Sequence, residues 1–393
     1  RSRGLGDVYK RQVMFQTIVK IFLLVIITAA ITPFIRKLAF VLGAVDNPNA
    51  RRINKKPMPT IGGLAIFVAF NIGEFVLLRK DFPTHELFSV LLASSVIILT
   101  GLIDDILELK PRQKMFGIFV ASLVVYFLAG IKVRELSLPF LGHIQLGWWS
   151  FPFTIFWILA LTNAVNLIDG LDGLATGVTL ISLVTMGIVG FFFLKSWQHY
   201  VPIMCIMLAA CLLGFLPYNF HPAKIFLGDT GALYIGFMIS VLSLKGLKNV
   251  TFVSLLVPIL ILGVPITDTV YAMIRRKLNK KNISQADKHH LHHQLMRMGL
   301  SHRQTVLAIY GISLIFSFVS LLSLVSPRWG IWLLILGLLF AVELFVETIG
   351  LLGEKYKPLL HFLQHTINKM ERADPEVKVR RLNKRNTNKK DLR

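Results

Sequence analysis

Apolar runs long enough to cross roughly 30 Å of hydrocarbon recur along the chain, separated by short polar segments. They predict membrane spans near Thr17–Ile35, Ile61–Leu78, Glu86–Ile103, Met115–Ile131, Trp148–Ile168 and Gly173–Leu194. Five more follow near Val201–Asn219, Gly231–Leu244, Thr251–Met273, Thr305–Leu324 and Trp329–Leu352. The expected architecture is an all-α, polytopic helical bundle with about eleven transmembrane helices. The stretch from Leu136 to Gly147 interrupts the apolar pattern and reads as an external loop.

Polar positions set the orientation. The loops after the odd-numbered spans, with the C-terminal tail, carry 30 Lys and Arg, while the loops after the even-numbered spans carry 8. Basic loops stay in the cytoplasm, so the N-terminus is expected outside and the C-terminus inside. Composition agrees: 54% hydrophobic against 16% charged residues leaves too little polar surface for a soluble domain of this size. The net charge of +22 follows the positive-inside pattern, and no reading motif accompanies it, so nucleic acid is set aside. Cys205 and Cys211 lie inside one apolar run and read as packing residues. Residues 1–13 read as a non-native leader, 14–352 as the membrane-embedded domain and 353–393 as a basic, partly disordered cytoplasmic tail held near anionic lipid.

Against this apolar background the acids stand out. Asp104 and Asp105 end the third span, where paired carboxylates bind a hard cation or face an acidic substrate. A helix end turning polar at the interface is the alternative. In Asn163-Ala-Val-Asn-Leu-Ile-Asp-Gly-Leu-Asp-Gly173, a spacing of three puts Asn163, Asn166 and Asp169 on one helical face, and Asp172 follows a glycine. Asp229 lies between two glycines before the eighth span, where it suits Mg²⁺ or simply caps a helix. A basic loop then carries Asp268, Arg275, Arg276 and Asp287-Lys-His-His-Leu-His-His293, suited to phosphate, proton transfer or metal. Acids at cytoplasmic ends argue against a transporter, whose binding groups lie near the midplane. A zinc hydrolase built on the histidines remains the other rival reading.

These four clusters, in this order, resemble the polyprenyl-phosphate N-acetylhexosamine-1-phosphate transferases, and within them the undecaprenyl-phosphate N-acetylglucosaminyl branch. Gly43-Ala-Val-Asp-Asn-Pro, Lys56-Pro-Met-Pro and Ile61-Gly-Gly extend the likeness, which covers Thr17 to Leu352. The resemblance implies a catalyst that moves GlcNAc-1-phosphate from UDP-GlcNAc to undecaprenyl phosphate, releasing UMP and priming a surface polymer such as teichoic acid. It implies Mg²⁺, with Mn²⁺ as a substitute, held by Asp229 and Asn166. Asp104 and Asp105 would orient the lipid phosphate or the metal, and Asp169 and Asp172 would line the catalytic pocket. Lys114 would contact phosphate, and His290, His292 and His293 would lie near the sugar-nucleotide diphosphate, giving the preference for GlcNAc. Asn163, Arg275 and Arg276 complete the expected substrate-binding set. The implied partners are UDP-GlcNAc, undecaprenyl phosphate and membrane lipid at the plasma membrane. A homodimer and a different UDP-N-acetylhexosamine donor, including UDP-MurNAc-pentapeptide, remain open.

Overall fold

The computed structural model describes residues 2–46, 57–77, 79, 84–138, 142–193, 200–246, 252–280, 290–352 and 356–373. In chain order the elements are α1 (Ser2–Leu42), β1 (Val45–Asp46), β2 (Met58–Pro59), α2 (Gly63–Ile72), α3 (Thr84–Leu107) and α4 (Pro111–Phe127). Strands β3 (Glu135–Leu138) and β4 (Gly142–Gln145) precede α5 (Ser150–Ile168), α6 (Leu174–Phe193), α7 (Tyr200–Asn219) and α8 (Gly228–Gly246). Then come α9 (Phe252–Ile261), α10 (Gly263–Leu278), α11 (Leu291–Arg297), α12 (His302–Val325), α13 (Arg328–Ile349) and α14 (Pro358–Ala373).

Among the described residues, seven helices are long and apolar enough to cross a membrane. They are α1, α3, α5 with the 3₁₀ turn before it, α6, α7, α12 and α13. Their outer faces are apolar: Phe34, Val41, Phe156, Leu333, Leu336 and Leu339 are exposed. On a soluble protein so much exposed apolar surface would be costly, but lipid solvates it.

The other four expected spans differ for physical reasons. The second is α2 continued by one π-turn, Gly73–Leu77. The fourth, α4, has 17 residues. The eighth, α8, is packed against α2, α3, α5, α6 and α7. Its residues from Ala232 to Leu244 are almost all buried, so it can carry Gly231, Gly236, Ser240 and Ser243, which let neighbouring backbones approach.

The ninth expected span, Thr251–Met273, is not one helix. The chain breaks at Leu262, between α9 and α10. Pro265 lacks the N–H of an i→i−4 bond and its ring crowds the carbonyl four residues back. The break also brings Phe316 of α12 onto Gly263, where a Cβ would stand 2.1 Å from the ring.

Two expected loops contain structure. Leu136–Gly147 holds the antiparallel β3–β4 hairpin, pairing Glu135 with Gln145 and Leu138 with Gly142. The tail expected as partly disordered holds α14.

Candidate functional site

The site is built on the first turn of α8. Gly228 sits at φ +72, and a Cβ there would lie 1.6 Å from the Thr60 carbonyl oxygen, so a side chain is excluded. Gly63 and Gly101 let α2 and α3 close on this turn: added Cβ atoms would come within 2.0 Å of Gly231 Cα and 2.4 Å of Thr230 Cα. The wedged turn has its N–H groups satisfied by another helix. Asp105, near the end of α3, accepts from the Asp229 amide (3.0 Å) and the Thr230 amide (3.0 Å), and from the Thr230 hydroxyl (2.6 Å). A carboxylate at a helix N-terminus satisfies orphan donors and matches the dipole. Both Asp105 oxygens are thus engaged, and the side chain caps α8.

Asp104 points elsewhere, since adjacent helical residues diverge by about 100°. It is 5% exposed, accepts from the Leu109 amide at 2.8 Å, and pairs with Lys114 Nζ at 2.5 Å. Lys114, in the first turn of α4, also reaches Asp229 Oδ1 at 2.7 Å. Asn166 of α5 donates to that same oxygen through Nδ2 at 2.6 Å. Asp229, one-third exposed, is therefore gripped by an ammonium and a carboxamide. Burial alone would raise its carboxyl, but Lys114 and then Asn166 outweigh burial and hold it below the usual range. Asn163 lies one turn before Asn166, half-buried.

Asp169 caps the C-terminus of α5 with its amide bonded to the Asn166 carbonyl at 3.2 Å. Burial first, then Asp229, Asp105 and Asp172, push its carboxyl well above the usual range. Four acids with overlapping fields against Lys114 form a site short of positive charge. Hard carboxylate oxygens of this kind fit Mg²⁺.

Asp172 belongs to a second cluster. It meets His221 Nδ1 at 2.8 Å and the Ala223 amide at 3.2 Å. His302 at the start of α12 stacks on His221, with centroids 4.1 Å apart and planes at 20°. Donor atoms of Asp172, His221 and His302 lie within 4.8 Å of one another, a set whose imidazoles suit softer metals than Mg²⁺. Arg303 Nε donates to the His221 carbonyl at 3.2 Å, and Tyr310 donates to the Gly173 carbonyl, so α12 braces this loop.

The histidines play unequal parts. His290 is the N-cap of α11, and Asp268 of α10 accepts from its Nδ1 at 2.9 Å and from the Leu291 amide at 2.8 Å. His292 is buried directly over Gly170, where a Cβ would sit 2.6 Å from the ring. Burial, then His293, drives it down to about 3, so its ring stays neutral at physiological pH. His293 is half-buried, its ring 4.2 Å from that of His292. His289 and Asp287 lie outside the described residues. Arg275, expected to bind substrate, is 6% exposed and donates to the Leu351 carbonyl at 2.7 Å, tying α10 to the end of α13. Arg276 is half-buried on the same helix.

Sequence reasoning gave no role to His221, His302, Thr230 or Tyr310. Thr230 follows Asp229 directly and His221 lies eight residues before it, so nearness to that acid was the available signal; His302 and Tyr310 are isolated residues brought in by packing.

A family model described as glycosyl transferase family 4 matches residues 87–247, which include both aspartate pairs, Lys114, Asn166 and Asp229. A Bacillus subtilis (strain 168) protein named as a probable undecaprenyl-phosphate N-acetylglucosaminyl 1-phosphate transferase is 40% identical over 91% of this chain and 98% of its own length. A decaprenyl-phosphate N-acetylglucosaminephosphotransferase of Mycolicibacterium smegmatis is 34% identical over 72% of this chain and 76% of its own. A phospho-N-acetylmuramoyl-pentapeptide-transferase of Clostridium botulinum is 30% identical over 74% and 90%. With the Bacillus relative matched nearly end to end at 40% identity, and the acid cluster inside the segment that the family model matches, the chain belongs to glycosyl transferase family 4.

Proposed function

We propose that the protein transfers GlcNAc-1-phosphate from UDP-GlcNAc to undecaprenyl phosphate, releasing UMP and priming a cell-wall or surface polymer such as teichoic acid. The observation that carries this reading is the joining of Asp104, Lys114, Asn166 and Asp229 at one end of an apolar bundle. The named relatives act on prenyl phosphates and N-acetylated amino-sugar phosphates, which supports the substrate pair. An oxygen of the lipid phosphate attacks the β-phosphorus of the donor. The bond from that phosphorus to the bridging oxygen breaks, and UMP leaves with the electron pair.

Nucleophile and electrophile are both anionic, so positive charge and orientation dominate the barrier. Lys114 offers its ammonium where Asp104 and Asp229 converge. Asp229, with Asn166 as the second ligand, would hold Mg²⁺ or Mn²⁺, which when bound neutralises diphosphate charge and stabilises the leaving group. Asp169, held protonated more readily than an ordinary carboxyl, lines the same pocket and accepts or returns a proton at its carboxylate oxygens. His292 sits on Gly170 of this loop with His293 beside it, and both contact the donor.

An external N-terminus and a cytoplasmic acid cluster are inferred from the sequence, on the Lys and Arg asymmetry of 30 against 8 across the eleven expected spans. That side supplies the nucleotide sugar, while the prenyl chain requires a catalyst in the bilayer. The test follows radiolabelled UDP-GlcNAc into the organic phase with undecaprenyl phosphate, with and without Mg²⁺, beside Asp229→Asn. Label that needs Mg²⁺ and disappears in the variant supports the reading. Label absent from UDP-GlcNAc but present from UDP-GalNAc or UDP-MurNAc-pentapeptide would reassign the donor, and silence with all three would refute the activity.

A further inference from the structure

Beyond α13 the chain is fastened to the bundle. Gly350 at φ +68 ends α13 in the left-handed conformation. Glu347 in the last turn of α13 is 1% exposed, yet its two oxygens accept from the backbone of a different helix. They take the Leu359 amide at 2.8 Å and the Leu360 amide at 2.7 Å, the first free N–H groups of α14 after Pro358. A buried carboxylate thus caps α14 where a membrane-crossing helix ends.

The pattern of α14 is two-sided. At 100° per residue, Leu359, Leu360, Phe362, Leu363, Ile367 and Met370 fall within one arc of about 160°. His361, Gln364, His365, Asn368, Lys369 and Arg372 fill the opposite arc. At 16 residues the helix is about 24 Å long, too short to span. Packing on α13 leaves Leu359, Leu360 and Leu363 half-buried and Phe362 67% exposed, so the apolar arc is only partly covered by protein. Beyond it, residues 374–393 carry eight Lys and Arg against three acids.

We propose that α14 lies in the plane of the membrane, its apolar arc in the acyl–headgroup boundary and its basic residues, with the run beyond, against anionic headgroups. In-plane helices have this combination of an apolar arc, low overall hydrophobicity and flanking positive charge. Lys and Arg near an anionic surface are drawn to it, which makes the C-terminal segment a reader of anionic lipid. The proposal does not depend on the reaction. It uses the cytoplasmic placement of the C-terminus only to select the leaflet.

The test uses the full chain in nanodiscs of phosphatidylcholine, with or without phosphatidylglycerol. An environment-sensitive fluorophore is placed at Phe362→Cys and, as the polar-side control, at Gln364→Cys. Labelling of the unsubstituted protein measures the background from Cys205 and Cys211, both buried. The expected result is a blue-shifted Phe362 label, quenched several-fold more by lipids spin-labelled near the headgroup than by an aqueous quencher, with Gln364 the reverse. Phosphatidylglycerol should strengthen the shift, and salt or deletion of 374–393 should cancel that gain. Equal aqueous quenching at both positions overturns the proposal. Shielding that depends on protein concentration and not on lipid overturns it in favour of a second copy of the chain, and shielding indifferent to phosphatidylglycerol removes the anionic-lipid claim.

Discussion

Asp105→Asn tests whether the second acid of the pair does chemistry or holds α8 in place. The carboxylate accepts three hydrogen bonds from the first turn of α8, two of them from backbone amides. An asparagine can accept through one oxygen, but its NH₂ would then face an N–H, leaving at least one buried donor unpaired. That costs about 1–3 kcal/mol, and loss of charge assistance on the remaining bonds adds to it. Taking about 2.7 kcal/mol as the total, and 1.36 kcal/mol per factor of ten, the turn carrying Asp229 loses roughly 100-fold in its fraction correctly placed. The loss should appear in two readouts of the lipid-transfer assay. The Mg²⁺ concentration for half-maximal rate should rise, and kcat/KM should fall by about 100-fold, while the pH dependence of the residual rate keeps its shape. A thermal unfolding midpoint measured alongside should drop by a few degrees. If kcat instead collapses with Mg²⁺ dependence intact and one limb of the pH profile missing, Asp105 transfers a proton and the capping argument is wrong.

Lys114→Met removes the ammonium that holds Asp229 below its ordinary range. Activity needing ionised Asp229 is lost as pH falls through its pKa, so the acid limb of the pH–rate profile should move to higher pH; an unmoved limb would refute the pairing. Gly170→Ala drives a methyl into the His292 ring, an overpacking cost of about 1–3 kcal/mol. The double variant with His292→Ala should recover most of the stability, and additive losses in unfolding midpoint would contradict the contact. His292→Ala or His293→Ala alone should raise KM for UDP-GlcNAc about tenfold with a smaller change in kcat; unchanged kinetics in both would remove these residues from the donor site.

How much was legible in the sequence depended on which solvent each segment meets. Helices that face lipid, such as α1 and α13, declare themselves by hydropathy alone. Helix α8 is enclosed by other helices, so its composition is free to include glycine and serine, and its bounds blur. The break at Leu262 has a local signal in Pro265, but the packing of Phe316 on Gly263, more than fifty residues on, has none. At the site, the acids could be read as a set because hydrocarbon makes every carboxylate conspicuous. Their division of labour could not. Asp104 and Asp105 are neighbours in sequence yet serve different helices, and His290 is committed to Asp268 while His292 leans on the acid loop. Such assignments depend on side-chain direction, which only the packed helices supply.

The anchoring of His290 through Asp268 has a consequence for how new specificities arise in this chain. The acid cluster hangs on α3, α4, α5 and α8, whereas the histidine helix is tethered to α10; the two meet where α10 packs on α5 and where His292 rests on Gly170. The histidine helix from Leu291 to Arg297 can therefore diverge without retuning the charges that perform the transfer, provided α10 keeps its packing on α5. The seam at Gly170 sets the condition for such divergence: the changed helix must bring a ring, or a smaller group, that accepts a bare backbone beneath it.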